Sequence, residues 1–449
     1  MPPNGDFAVI VAGGGIAGTA TAATLAEFGW SVLIVEPGQR ADRRLAGEVI
    51  HPPGVAGLME LGLYDRAGLA DAVAIQGFRV FPQGGAADGD GIRLPYEGDR
   101  VARTALGLGL EHGAIRTSLL TAAARLGHVT IWHGARIVGL DLARRDLPRV
   151  SIAHQGKTET LDCRMVVGAD GAASPVRAHA GIIHSRHRLS NITGYLIDAE
   201  ALPAPGFGHV FMGTTSPVLA YQIGAGRARV LFDEPIQSVE PPADYRARAM
   251  ATLPSGLRAA VAAAAATQRG LGFVSADVLV AAVGRGRVVL VGDAGGSCHP
   301  LTASGMTVGI GDALRLRQAL RDRDGDIVRG IALYAKRRWA PQRVRRLLAS
   351  MLHETCSRQD AEARLIRDSL VSYWAHDARG RVASMALLAM TDTRIGAILT
   401  EMFRVLRHGM SRGAEGERTI LDRCGGAGRL TMAMATLLTR QVPMVMKLR

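Results

Sequence analysis

The stretch that most constrains the fold lies at the amino terminus. Phe7 to Ala12 (FAVIVA) is a short apolar run that passes directly into Gly13-Gly14-Gly15-Ile16-Ala17-Gly18 and an Ala-rich helical pattern from Thr19 to Gly29. Glycines at the first, third and sixth places of a strand-to-helix turn have separate physical tasks. Gly13 permits the tight turn, Gly15 lets backbone approach a pyrophosphate, and Gly18 allows close helix–strand packing. The next strand pattern, Ser31 to Val35, ends at Glu36, placed to accept from a ribose hydroxyl. A Rossmann-like dinucleotide site is therefore expected, with Ile16 and Ala17 on its turn.

Two further segments repeat the strand-then-polar-turn logic. Met165 to Arg177 (MVVGADGAASPVR) puts Asp170 at the end of a buried strand, as a second polar contact to the same cofactor or as a helix cap. Val288 to Val291 leads into Gly292-Asp293, then His299-Pro300-Leu301-Thr302 and Ser304-Gly305-Met306-Thr307, where a helical pattern starts. Gly305 lets backbone approach a flat ligand, and the helix behind it offers N–H donors to developing negative charge. Between these segments, Arg43 and Arg44 stand where a long ligand needs phosphate partners, although one Arg on a loop is equally well a solvated charge. Glu48, just before His51-Pro52-Pro53, and Arg116, in the first turn of a helical pattern, complete the candidate contacts.

Composition excludes some classes. The chain has 449 residues and 48% hydrophobic residues, enough for two or three domains with aliphatic cores, since aromatics are only 4%. The net charge is +13, but the basic residues are spread rather than concentrated or interleaved with aromatics, so no nucleic acid is expected. An anionic membrane surface or an acidic partner fits the spread better. The four cysteines form no CxxC pair, which fits a reducing, cytoplasmic setting, and no ligand set suggests a metal. No run of about 18 uncharged apolar residues is present, so contact with a membrane would be peripheral.

Taken in order, Gly13-x-Gly15-x-x-Gly18, Gly168-Ala169-Asp170-Gly171 and Gly292-Asp293 resemble the FAD-dependent monooxygenases of the aromatic-hydroxylase superfamily. Arg44-Leu45-Ala46-Gly47-Glu48, Glu60-Leu61-Gly62-Leu63 and His299-Pro300-Leu301-Thr302-x-x-Gly305-Met306-Thr307 are similar to segments of squalene epoxidases (squalene monooxygenases). The resemblance departs at His51, where that family carries Gln, at Phe78, where it carries Tyr, and at Ala114, where it carries Arg. It implies bound FAD whose C4a-hydroperoxide transfers oxygen to an alkene or an electron-rich ring. It also implies Pro300, Gly305 and Met306 beside the isoalloxazine and His51 and Phe78 near the reacting oxygen, with a wall histidine as the alternative for His51. NADPH is the expected reductant, directly or through a separate flavin reductase, because no second glycine fingerprint is present.

The expected fold is α/β: a Rossmann-like FAD-binding domain, an inserted mainly antiparallel β-sheet substrate domain and an α-helical carboxyl-terminal region. The FAD-binding parts are 1–75, 101–178 and 284–325; the substrate domain takes 179–283, with an excursion at 76–100, and 326–449 is helical. In that last region Tyr334 to Arg346 is strongly basic around Trp339, and Met-rich amphipathic stripes such as Ile395 to Leu406 and Leu430 to Leu438 suit a core, a dimer or a membrane surface. The expected function is epoxidation or hydroxylation of an apolar, terpenoid or prenylated small molecule. The alternatives are an NADPH-dependent aromatic hydroxylase of phenols or polyketides, and an FAD-dependent isoprenoid reductase or cyclase. No Trp-x-Trp-x-Ile-Pro segment supports a halogenase.

Overall fold

The computed structural model describes residues 7–38, 45–82, 89–96, 106–144, 147–236, 238, 240–416, 428–437 and 439. Arg43, Arg44 and Leu438 lie outside them.

Five strands rich in β-branched residues build the parallel part of the first sheet. Val288–Leu290, Met165–Gly168, Val9–Ala12, Val32–Glu36 and Val129–His133 pair in parallel in that order, and the short Gly284–Arg285 strand adds antiparallel at one edge. The period-two alternation decides which core each residue joins. Val9, Val11, Val32 and Ile34 pack under helices with Leu25, Leu316, Leu320 and Tyr334. Ile10, Leu33, Val35 and Val166 face the other way, onto Ile137, Val150 and Ile152 of a three-stranded sheet. A sheet buried on both faces reads as continuous apolar sequence, and these strands do.

The second sheet has seven strands, in the order Leu271–Val280, His184–Asp198, Arg227–Pro235, Val218–Gly224, Gly208–Phe211, Gly77–Phe81 and Ile92–Pro95. It is antiparallel except where Gly208–Phe211 runs parallel to Gly77–Phe81, so the 76–100 excursion supplies two of its strands. One face is sealed by Leu257 and Val261 of the Ser255–Thr267 helix against Tyr195, Val230 and Phe232. The alternate residues Arg229, Leu231 and Asp233 then face the first sheet's loops.

After Asp326, which caps it by accepting from the Arg329 N–H, the 31-residue helix Ile327–Ser357 crosses the back of the molecule. Helices Ala361–His376, Ala378–Leu388 and Ile395–Gly416 pack beside it, with a further helical stretch over 428–437. Among the described residues no helix is long and apolar enough to cross a membrane.

Candidate active site

The glycine turn shows three kinds of glycine. Gly13 has φ +96°, and a Cβ there would stand 2.6 Å from the Ala169 carbonyl oxygen. A Cβ on Gly18 would stand 2.0 Å from the Gly13 oxygen, so this position is closed by packing. At Gly15, by contrast, an added Cβ meets nothing within 4 Å. Gly15 caps the eleven-residue helix Ile16–Ala26, whose buried first turn has no side-chain cap. Free N–H groups facing open space fit a pyrophosphate. Ala17 faces the second loop: a Cβ on Gly292 would come within 2.8 Å of its methyl.

Glu36 closes the second strand with its carboxylate accepting from Gly14 N–H (2.6 Å) and Gly38 N–H (2.7 Å). Arg116, on the helix His112–Ala124, reaches the same carboxylate at 2.7 Å. These two predicted contacts therefore meet at the end of the strand. Asp170 accepts from the Val176 N–H at 2.9 Å, and burial pushes its carboxyl up.

The loop from Gly292 to Thr302 is held from behind by the carboxyl-terminal helix. Arg338 donates to Gly295 O (2.7 Å), Gly292 O (3.0 Å) and the buried Asp312 carboxylate (2.8 Å), while Asp312 accepts from the Gly292 N–H (3.0 Å). Arg346 donates to Val278 O and Ser297 O and pairs with Asp277, and Arg345 donates to Ser304 Oγ at 3.2 Å. The Tyr334–Arg346 run thus spends three arginines on the interior rather than on a surface. Tyr334, Arg338, Gln342, Arg345 and Arg346 share the buried face, and Trp339 is partly exposed. A periodicity count along that run carries the signal.

Pro300, Gly305 and Asp293 border a cavity of about 520 Å³ whose opposite wall is the second sheet, through Leu219, Leu231 and Phe273. Glu48 lines it too, fully engaged: its carboxylate takes Arg229 in a two-point pair (3.0 and 3.1 Å) and the Tyr221 hydroxyl at 3.3 Å. Burial pushes the Glu48 carboxyl up, and Arg229 and Tyr221 draw it back only in part, whereas Glu48 holds the Arg229 guanidinium up against the opposing effect of burial. The two-point geometry favours the charged pair. Met306 is buried against Gly47, and Thr307 Oγ1 accepts from the His51 N–H at 2.9 Å.

His51 is completely buried at the start of the helix Pro52–Glu60. Its Nε2 lies 2.8 Å from Thr302 O, an acceptor only, so Nε2 carries the proton and Nδ1 accepts from the Tyr96 hydroxyl at 2.7 Å. Burial drives its pKa down to about 4. His51 and Phe78, 6.0 Å apart between ring centroids, border a separate apolar chamber of about 60 Å³. Pro217 and Leu301 line both this chamber and the main cavity; Leu352, Trp374 and Leu388 line both this chamber and a third, of about 90 Å³, among the carboxyl-terminal helices. Three neighbouring cavities that share these residues as walls therefore extend from the Pro300 loop into the helical region. Arg229 and Asp233 were not expected from sequence; their signal in ARVLFDEP is two charged residues four places apart, on one face of an otherwise apolar strand with Leu231 between them.

The open Gly15 turn, the Glu36 carboxylate and the cavity beyond Asp293 fit the phosphate, ribose and ring portions of FAD. The model of the FAD binding domain family matches residues 6–323. Squalene monooxygenase of Mus musculus is 27% identical over 413 residues, covering 89% of this chain and 71% of that protein. Squalene monooxygenase SE2 of Panax ginseng is 25% identical over 437 residues, covering 90% and 75%. Among solved structures, p-nitrophenol 4-monooxygenase PnpA from Pseudomonas putida DLL-E4 superposes with a TM-score of 0.69 at 19% identity, covering 89% of this chain and 98% of that one.

Proposed function

Because this chain belongs to the FAD binding domain family and is an FAD-dependent monooxygenase, we propose that it epoxidises or hydroxylates an apolar, extended substrate of the terpenoid or prenylated class. The observation that carries the reading is the row of neighbouring cavities. The main cavity borders the Pro300–Gly305 loop and shares Pro217 and Leu301 as a wall with a smaller, largely apolar chamber, which in turn shares Leu352, Trp374 and Leu388 with a third. A row of largely apolar chambers divided by shared side chains suits a long hydrocarbon better than a compact polar ring. The similarity to squalene monooxygenases supports the same substrate class.

Reduced FAD supplies the activation of O2. The chain's own residues orient and enclose. Gly305 and Met306 begin a 17-residue helix whose amino end borders the cavity, so its free N–H groups favour negative charge on a ring held there. His51, neutral and bonded at both ring nitrogens, fixes Thr302 and thereby the loop that carries Pro300. The apolar walls exclude water from the reacting centre. NADPH is the proposed reductant, used directly or through a flavin reductase.

The substrate class also suggests the route of entry. On the helix Ile395–Gly416, Ile398 and Val405 are buried, while Leu399 (48% exposed), Phe403 (64%) and Met410 (41%) line up one and nearly two turns apart on the outer side. With the net charge of +13, this stripe suits peripheral contact with an anionic membrane. The test is turnover of C15 to C30 isoprenoid alkenes by the holoenzyme with NADPH, with and without a flavin reductase. A product heavier by one oxygen is expected. Substrate recovered intact while O2 is consumed only to peroxide would overturn the reading.

A further inference from the structure

The sheet wall of the main cavity mixes apolar residues such as Leu219, Leu231 and Phe273 with Arg186, Tyr221, Ser275 and Asp233. Asp233 stands on the same face of the Arg227–Pro235 strand as Leu231, and both line the cavity. Asp233 is more than nine-tenths buried, yet neither Oδ1 nor Oδ2 has a well-formed hydrogen bond. Its Oδ2 lies 3.1 Å from His299 Nε2 and 4.0 Å from His353 Nδ1, and the two imidazoles stack with centroids 4.1 Å apart. Three elements therefore converge on one carboxylate: the sheet, the Pro300 loop and the long carboxyl-terminal helix.

Two histidines and a carboxylate within 4.8 Å of one another have the composition of a metal site, but the hydrogen bonding runs the wrong way. A metal-bound histidine donates its other ring N–H to an acceptor. Here His299 Nδ1 accepts from the Leu301 N–H at 3.3 Å, so the proton sits on Nε2, facing Asp233 and Ser190 Oγ (3.2 Å). His353 Nδ1 is likewise engaged with Ser357 Oγ at 3.1 Å. His299 and His353 flank Oδ2 and hold the position of the carboxylate, while Oδ1 is left without a partner. Burial raises the Asp233 carboxyl, and His299, with Ser190 and His353, draws it below the ordinary carboxylate range, so the group is an acceptor.

We infer that Asp233 Oδ1 is a specificity-determining acceptor for a hydrogen-bond donor, a hydroxyl or N–H, carried by the otherwise apolar substrate. The inference rests on the apolar-substrate reading and narrows it: the preferred substrate is a functionalised isoprenoid rather than a pure hydrocarbon. An unmatched buried acceptor is costly, so a ligand that supplies the donor is selected over one that does not.

The test uses the full-length holoenzyme and three probes on one C20 skeleton: geranylgeraniol, its methyl ether and the hydrocarbon with methyl in place of the hydroxymethyl group. Binding is read from the perturbation of the bound FAD absorbance. The alcohol is expected to bind at least about tenfold more tightly than the ether or the hydrocarbon, because only it donates to a charged acceptor. In Asp233→Asn that preference should fall to within about twofold, with the hydrocarbon Kd unchanged as evidence of an intact cavity. Equal binding of alcohol and ether by the unaltered protein overturns the inference without needing the variant, and so does a preference that survives in Asp233→Asn. If the hydrocarbon binds and the alcohol does not, the inference fails while the apolar reading stands. If none of the three binds, the apolar reading itself fails and takes the inference with it.

Discussion

Arg338→Met tests whether the helical region holds the cofactor loop. Arg338 and Asp312 are both buried, and the guanidinium bridges the Asp312 carboxylate to two carbonyls of the Gly292–Gly295 turn. Methionine keeps much of the side chain's bulk but removes every donor. Asp312 then retains the Gly292 N–H at 3.0 Å and a long contact to Arg315 at 3.5 Å. Removing one partner of a buried pair costs about 3–5 kcal/mol, because the remaining charge stays desolvated. For a domain of this size that lowers the melting midpoint by roughly 10 °C. The readouts are thermal melting and release of FAD fluorescence on dilution. Both should change, and pairing the substitution with Asp312→Asn should recover part of the loss, since the stranded charge is then gone. A melting midpoint and FAD retention within experimental error of the unaltered protein would refute the clamp.

Other consequences are simpler to check. Gly15→Val should leave melting of the apoprotein nearly unchanged while weakening FAD binding at least about tenfold, because its Cβ enters open space, whereas Gly18→Ala should destabilise the apoprotein itself by the 1–3 kcal/mol typical of overpacking. His51, His209 and His353 all have pKa values lowered by burial to about 4. The unfolded chain binds the extra protons first, so stability is full above about pH 6.5 and falls as pH drops toward 4, by roughly 3 kcal/mol per histidine; His51→Gln should flatten part of that acid limb in a pH series of melting curves. Phe403→Glu should reduce sedimentation with anionic liposomes severalfold and leave FAD content unaltered; undiminished binding would remove that stripe from the membrane reading.

What the sequence makes legible follows sequence distance. Gly13, Gly15, Gly18 and Glu36 are brought to one strand-to-helix turn, as their spacing implies, because a tight turn and the following strand end are local features, and the parallel strands announce themselves as apolar runs. The strand Leu271–Val280 is harder, since Ser275 and Asp277 interrupt it. Both are inward polar residues whose partners, Ser190 and Arg346, lie far away along the chain. The same separation hides the Glu48–Arg229 and Arg338–Asp312 pairs. In each, two long-range charges neutralise each other, and either alone looks like an ordinary solvated residue. His51 shows the converse: the resemblance to squalene epoxidases directs attention to the position, but only the two bonded ring nitrogens show that it braces the Thr302 loop.

The central claim, that one atom of O2 passes into an apolar substrate held in the cavity beside Pro300 and Gly305, is tested most directly by isotope. Holoenzyme reduced without air is mixed with a saturating isoprenoid alkene and ¹⁸O2, and the product is weighed by mass spectrometry. One ¹⁸O atom per product, with the second in water, is the predicted result. Unlabelled product, or product formed equally well without O2, would contradict it and turn the same fold toward reduction or cyclisation.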